Sequence, residues 1–243
     1  MKTFFKVSIL VLFIAFTSSI LAQKSVNVTS TSISADKSTS KSTLKFAIEA
    51  GYINPVRFGS GVSSTYFNGG RLGVTANYDL KNNFSLLTGV LYSVVYSNKN
   101  QGYPSSKFVT YKTLGHFLDI PIHATYNLPI TNTLKVFAFA GPNINVGLYQ
   151  KQDINFSDNL IGDEHLAAFN SFSTFTGITP KTIDFYKESV LNRLNLQIGV
   201  GGGVQWKHLQ LKSGYDFGIN NLHKVDTGNL YQKGWYVSFS YEF

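Results

Sequence analysis

From Leu44 onward, apolar and polar side chains alternate with a period of two, which is the pattern of strands that keep one face apolar and the other polar. Eight such segments are legible, over 44–53, 71–80, 84–95, 114–128, 134–148, 193–206, 209–218 and 234–243. In the first, Phe46, Ile48, Ala50 and Tyr52 share a face, with Lys45, Ala47, Glu49 and Gly51 opposite. In the second, Leu72, Val74, Ala76, Tyr78 and Leu80 alternate with Arg71, Gly73, Thr75, Asn77 and Asp79. The fourth sets Leu118, Ile120, Ile122, Ala124 and Tyr126 against Asp119, Pro121, His123, Thr125 and Asn127. The last sets Trp235, Val237, Phe239, Tyr241 and Phe243 against Tyr236, Ser238, Ser240 and Glu242. Pro121 has no N–H for a ladder, and predicts a local bulge in its strand.

The connections alternate in length. Short ones fall at 81–83, 129–133 and 207–208, and longer ones at 54–70, 96–113, 149–192 and 219–233. Short turns at one end and long loops at the other are the layout of a barrel that crosses an outer membrane with both termini in the periplasm. Aromatic residues flank the apolar faces: Tyr52, Tyr78, Phe84, Tyr126, Trp206, Tyr215, Phe217, Trp235, Tyr241 and Phe243. Such rings collect at membrane interfaces. The expected fold is therefore all-β, an eight-stranded antiparallel transmembrane β-barrel with short periplasmic turns and longer extracellular loops. A soluble ligand-binding barrel has the same periodicity with the faces reversed.

Composition agrees with strands. Aromatic residues make up 15% of the chain, with 20 Phe and 14 Tyr, and 21 Gly stand beside a single Met. There is no cysteine, which excludes disulfides, thiol chemistry and lipid-anchored cysteine. The formal charge is +8, of which Lys2 and Lys6 supply two. These two lysines precede an apolar run over 7–16, and a small residue, Ala22, stands at a cleavage-like position. Residues 1–22 read as a signal peptide, because the apolar run is too short for a membrane-spanning helix. Residues 23–43, rich in Ser, Thr and Lys, read as a disordered periplasmic leader, and 44–243 as the barrel domain.

Several segments also resemble the PorT-like outer-membrane β-barrel family, common in Bacteroidota. Residues 117–128, Phe-Leu-Asp-Ile-Pro-Ile-His-Ala-Thr-Tyr-Asn-Leu, resemble its signature strand, and Ala138-Phe139-Ala140-Gly141-Pro142-Asn143 resembles the strand after it. Tyr215-Asp216-Phe217-Gly218 looks like the end of its penultimate strand. The final strand, with Trp235, Val237, Phe239, Tyr241 and Phe243, looks like a signal read by the barrel-assembly machinery. The sequence departs from the family at His123, where an apolar residue is common, and in its long third loop. The resemblance implies outer-membrane residence and a role in the cell envelope. The family includes proteins implicated in secretion and gliding machinery.

Candidate chemistry sits on the inward faces. Glu49, Arg71, Asp119, His123, Lys212 and Asp216 would meet inside a barrel narrow enough for side chains to fill it. Buried charges need partners, so these six are expected to form a charged lumen network, with a proton or solute path and a catalytic group as alternatives. The five histidines are scattered, and no nucleophile–histidine spacing stands out; no catalytic residue, metal ligand or cofactor is assigned. The run Gly199-Val200-Gly201-Gly202-Gly203 lies in a strand with no helix after it, so it is read as relief of crowding rather than a nucleotide loop.

The 149–192 loop is too apolar for a plain solvated loop. A short helix is expected in 180–194, and the loop is expected to fold over the barrel mouth, with binding of an envelope protein as the alternative. Expected partners are outer-membrane lipid and lipopolysaccharide, the barrel-assembly machinery and such an envelope protein, and no nucleic acid. Three function classes remain open on the sequence: a non-enzymatic structural or interaction protein, which is favoured, a narrow solute channel, and a lipid-modifying enzyme.

Overall fold

The computed structural model describes residues 43–60, 62–102, 108–156, 181–224 and 228–243. They form ten strands: β1 (Leu44–Gly59), β2 (Val62–Tyr66), β3 (Asn68–Asp79), β4 (Phe84–Gly102), β5 (Phe108–Pro129), β6 (Leu134–Phe156), β7 (Lys181–Asp184), β8 (Leu194–Trp206), β9 (Leu209–Gly218) and β10 (Leu230–Glu242). Eight of them pair antiparallel in the order β1-β3-β4-β5-β6-β8-β9-β10. β10 then pairs back onto β1, from Ala47 opposite Glu242 to Gly59 opposite Leu230, and closes the barrel. Closure satisfies every strand edge, which an open sheet in lipid could not do. The two extra strands are short flaps: β2 folds back on β1, with Val56 opposite Tyr66, and β7 lies on β6, with Lys151 opposite Asp184. Among the described residues no helix is long and apolar enough to cross a membrane, and the crossing is made by strands.

The faces are ordered apolar outside, polar inside. Ile48, Leu72, Val90, Val200, Leu211 and Phe239 point outward and are exposed, whereas Glu49, Ser93, Asp119, Lys212 and Ser238 point inward and are buried. Exposed aromatics mark both rims. Phe84 packs on Tyr126 at 5.1 Å at the end that carries the short turns, and Tyr52 packs on Trp235 at 5.4 Å at the other. An apolar belt between two aromatic girdles fits a bilayer and not water.

The short turns are built by their own side chains. Asn82 and Asn83 both take positive φ, 58° and 65°, and Phe84 N–H donates to the Lys81 carbonyl. This is the mirror-image turn whose twist matches a hairpin. Between β5 and β6, the Thr131 hydroxyl accepts from the N–H groups of Thr133 and Leu134 at 3.2 and 3.0 Å.

Three local expectations are corrected. First, 96–113 and the start of the 149–192 loop are largely strand. The β4–β5 ladder runs on from Tyr96 opposite Leu114 to Gly102 opposite Phe108, and β6 stays paired with β5 as far as Phe156. Beyond the outer rim the buried face of these strands carries polar side chains, Ser97, Thr113 and Gln150, so the apolar alternation fades while the backbone pairing persists. Second, Pro121 makes no bulge. The ladders on both sides of it keep one register, and the register shift falls instead at Leu148, between the pairs His116–Tyr149 and Phe117–Gly147. A missing N–H deletes one hydrogen bond without requiring an extra residue. Third, within 180–194 the described residues, 181–194, are not helical. They form β7 followed by a turn in which Asp184 Oδ1 accepts the N–H groups of Tyr186 and Lys187, both at 3.2 Å. The aspartate satisfies these donors locally, in a turn rather than a helix. Residues 1–42, which include the signal-peptide and leader expectations, and the centre of the third loop, 157–180, lie outside the described residues.

Candidate functional site

The register of β1, β3 and β9 brings three of the six inward charges into contact. Glu49 is fully buried. Its Oε1 accepts from Arg71 Nη2 at 2.7 Å, and its Oε2 forms an ion pair with Lys212 Nζ at 2.6 Å. Arg71 also donates Nε to Ser238 Oγ at 3.0 Å, and its guanidinium lies 3.8 Å over the Tyr236 ring. Two cations on one carboxylate, with the arginine held further by a serine and a ring, is the arrangement a buried charge requires.

The other three charges stand beside this triad without entering it. Asp119 is held at both oxygens, accepting from Ser93 Oγ at 2.5 Å and Asn145 Nδ2 at 2.7 Å. Asp216 receives one long contact, from Asn143 Nδ2 at 3.5 Å. His123 lies flat on Phe139, ring centroids 5.0 Å apart and planes 12° apart. All six line a crevice of only about 10 Å³ together with Tyr236, except Glu49, which sits behind Arg71 and Lys212.

Rings fill the lumen beside the charges. Phe137, Phe139 and Tyr236 form a buried apolar group, with Phe139 6.4 Å from Phe137 and 6.5 Å from Tyr236. The glycines of β8 and β9 make room for them. A Cβ at Gly201 or Gly203 would collide with the Phe139 or Phe137 ring, and one at Gly214 would stand 2.6 Å from the Tyr236 ring. The inward direction of Phe137 and Phe139 was missed by sequence reasoning. Both are in phase with Lys135 on one strand, and extending that phase would have found them.

The extracellular mouth is closed by a second apolar group. Phe67, Val95, Phe117, Tyr186, Leu191, Leu222 and Leu230 pack together, so the turn after β7 does cover the barrel. Arg57 sits within this lid, donating Nε to Gln232 Oε1 at 3.0 Å with its guanidinium 5.1 Å from the Phe67 ring centroid. Arg193 holds the turn from the other side, 4.7 Å over Tyr186 and donating Nη1 to the carbonyls of Gly147 and Leu148 at 3.0 and 2.8 Å. Burial pushes the Tyr186 phenol up, against the pull of these two arginines. Below the lid, a cavity of about 40 Å³ lies between Arg71, Ser93, Asp119, Asn145, Asp216 and Gln232. That volume admits water but no solute.

At the periplasmic end Lys45 bridges Asp79 at 2.9 Å, and Gln205 Nε2 donates to Glu242 Oε1 at 3.0 Å. Trp235, Val237, Phe239 and Tyr241 form the lipid-facing row of β10, and Phe243, just past its end, is exposed as well. Among the described residues no three His, Asp or Glu side chains are grouped so as to hold a metal ion. His116 pairs outward with Tyr92 at 2.6 Å, and His165 lies outside the described residues.

A family model described as an outer membrane protein beta-barrel domain matches residues 22–224. The chain belongs to that family. The protein is an outer-membrane β-barrel protein, and its apolar belt is the surface that meets lipid. No curated protein matches the sequence. Among solved structures it is similar to Ail, the attachment invasion locus protein of Yersinia pestis, in complex with the heparin analogue sucrose octasulfate. The two are 13% identical, over 82% of this chain and 99% of that one, with a TM-score of 0.34. Neisserial surface protein A is 13% identical over 82% of this chain and 97% of its own, with a TM-score of 0.37. The outer membrane enzyme PagL is 13% identical over 79% and 98%, with a TM-score of 0.35.

Proposed function

We propose that this outer-membrane barrel is non-enzymatic and serves as a structural or interaction protein of the cell envelope, presenting its extracellular strands to a protein partner. The observation that carries this reading is a lumen filled along its height, with an extended sheet built beyond it. Charges and rings occupy the centre, the lid occupies the mouth, and the gaps lined by the charges are only about 40 and 10 Å³. A solute channel needs a continuous wet path, which this packing does not offer. Meanwhile β4, β5 and β6 continue six to eight residues past the level of Tyr96 and Tyr149, roughly 20 Å at the usual rise of a strand. Long paired strands beyond the lipid are unnecessary for anchoring and fit recognition at the cell surface.

In the same reading, residues 1–22 are removed on export, the last strand addresses the chain to the barrel-assembly machinery, and the girdles contact lipid and lipopolysaccharide. The remainder of the 149–192 loop joins the extended sheet in binding an envelope protein. The strand signature over 117–128 supports a PorT-like subgroup, and with it an accessory role in secretion or gliding machinery.

The test has two arms. The refolded barrel in a planar bilayer should give no unitary current. A photo-crosslinking side chain in place of Lys112, on the extended sheet, should give a discrete protein adduct in living cells, whereas one in place of lipid-facing Val90 should not. Steady single-channel current, or adducts equal at both positions, would overturn the proposal.

A further inference from the structure

The central layer of the lumen is unbalanced in charge. Three carboxylates, Glu49 on β1, Asp119 on β5 and Asp216 on β9, face two permanent cations, Arg71 on β3 and Lys212 on β9. The other polar groups turned toward this layer are Ser93 on β4, His123 on β5, Asn143 and Asn145 on β6, Gln197 on β8, and Gln232, Tyr236 and Ser238 on β10, none of them permanently charged. Lys233, beside the same cavity, carries its ammonium over the Phe58 ring, 4.6 Å from the centroid. An unmatched charge buried in a packed lumen is costly, so one more positive charge belongs here.

Geometry identifies the carboxylate it belongs to. Both oxygens of Glu49 are taken, by Arg71 and Lys212, and both oxygens of Asp119 are taken, by Ser93 and Asn145. Asp216 has only the 3.5 Å contact from Asn143, and its Oδ1 is buried without a partner. Two other side-chain atoms lining this crevice are in the same condition, the Oδ1 of Asn143 and the Nε2 of His123. Asp216 Oδ1 and His123 Nε2 converge over Gly199. They lie 2.6 and 2.9 Å from the position that a Cβ on this residue would occupy. The glycine thus leaves open the seat at which the surplus carboxylate and the free imidazole nitrogen face each other. Any larger residue would fill it.

We propose that this seat is a binding site for one proton, shared between Asp216 and His123 and buried under the lid. With the proton present, the layer is neutral and both orphaned atoms are satisfied, directly or through one water. The lumen plug is then a titratable element rather than an inert filling. Because the folded barrel holds a proton that the unfolded chain releases near neutrality, stability falls as pH rises until the site empties, with a limiting slope of about tenfold in the folding constant per pH unit.

Infrared spectra of the full chain refolded in detergent micelles at pH 7 test this. The wild type should show either the carbonyl stretch of a protonated carboxylic acid, lost in Asp216→Asn, or imidazolium bands, lost in His123→Gln. Asp79→Asn, which removes a carboxylate outside this layer, paired with Lys45 at the periplasmic end, should leave the feature in place. The temperature at which the barrel unfolds in a gel-shift assay should fall with rising pH in wild type and should flatten in Asp216→Asn. Absence of both bands in wild type would overturn the proposal whether or not the variants fold, as would loss of the feature in Asp79→Asn.

Discussion

Arg71 Nη2 lies 2.7 Å from Glu49 Oε1, with both side chains sealed from solvent at the centre of the barrel. Glu49 carries the second cation, Lys212, on its other oxygen. Removing the carboxylate therefore strands two buried positive charges, whereas removing Arg71 leaves Glu49 still paired. Glu49→Gln is expected to cost about 3–5 kcal/mol, and more than Arg71→Met. Lys45→Gln, which breaks the part-exposed pair with Asp79, should cost less than ~1 kcal/mol. Urea unfolding of the refolded barrel measures all three; equal losses would contradict the central role of Glu49.

Gly201 lies directly opposite Phe139 on the neighbouring strand, and the Phe139 ring covers it. Gly201→Ala should destabilise the barrel by about 1–3 kcal/mol through overpacking. Phe139→Leu in the same chain should return part of that loss, because the shorter side chain vacates the space the new methyl needs. A double-mutant cycle by urea unfolding reads the coupling. Additive losses would mean the glycine is needed for some reason other than the ring.

Phe139 and Tyr236 fill the section of the lumen beside the charges. Replacing both by Ala should turn a barrel that is silent in planar bilayers into one that passes small ions, while leaving the heat-dependent gel shift present. Continued silence would place the decisive barrier at the lid, around Tyr186 and Leu191.

Trp206 and Trp235 stand exposed near opposite rims, one beside Lys207 and the other against Tyr52. In liposomes, lipids brominated near the headgroup should quench both tryptophans more strongly than lipids brominated deep in the chain. Stronger quenching by the deep label at either residue would move the bilayer boundary away from that girdle.

The eight barrel strands, the placing of Glu49, Arg71, Asp119, His123, Lys212 and Asp216 on the polar faces of those strands, and the crowding role of the β8 glycines were legible in the sequence. Each depends on the period of two within a single strand. The extended β4–β6 sheet was hidden, because its strands carry polar side chains even on the buried face, at Ser97, Thr113 and Gln150, and so lose the apolar alternation and look like loops. The flap β7 was hidden too, since four residues carry too little pattern to separate a strand from the start of a helix.

By itself, the sequence determined that one face of each strand is apolar and the other carries the charges, since that depends only on which side chains recur at every second position. Tertiary structure decided the rest. The sign of the arrangement follows from barrel closure, which turns Ile48 and Phe239 outward and Glu49 inward; the alternation is the same for a barrel turned the other way. Which charges meet is set by register across β1, β3 and β9. A register shift would reassign the partners of Glu49, and no local pattern records that shift. Asp216 and His123 come together over Gly199 from strands far apart in the chain, because pairing between distant strands, and not sequence spacing, fixes the height of every side chain in the lumen.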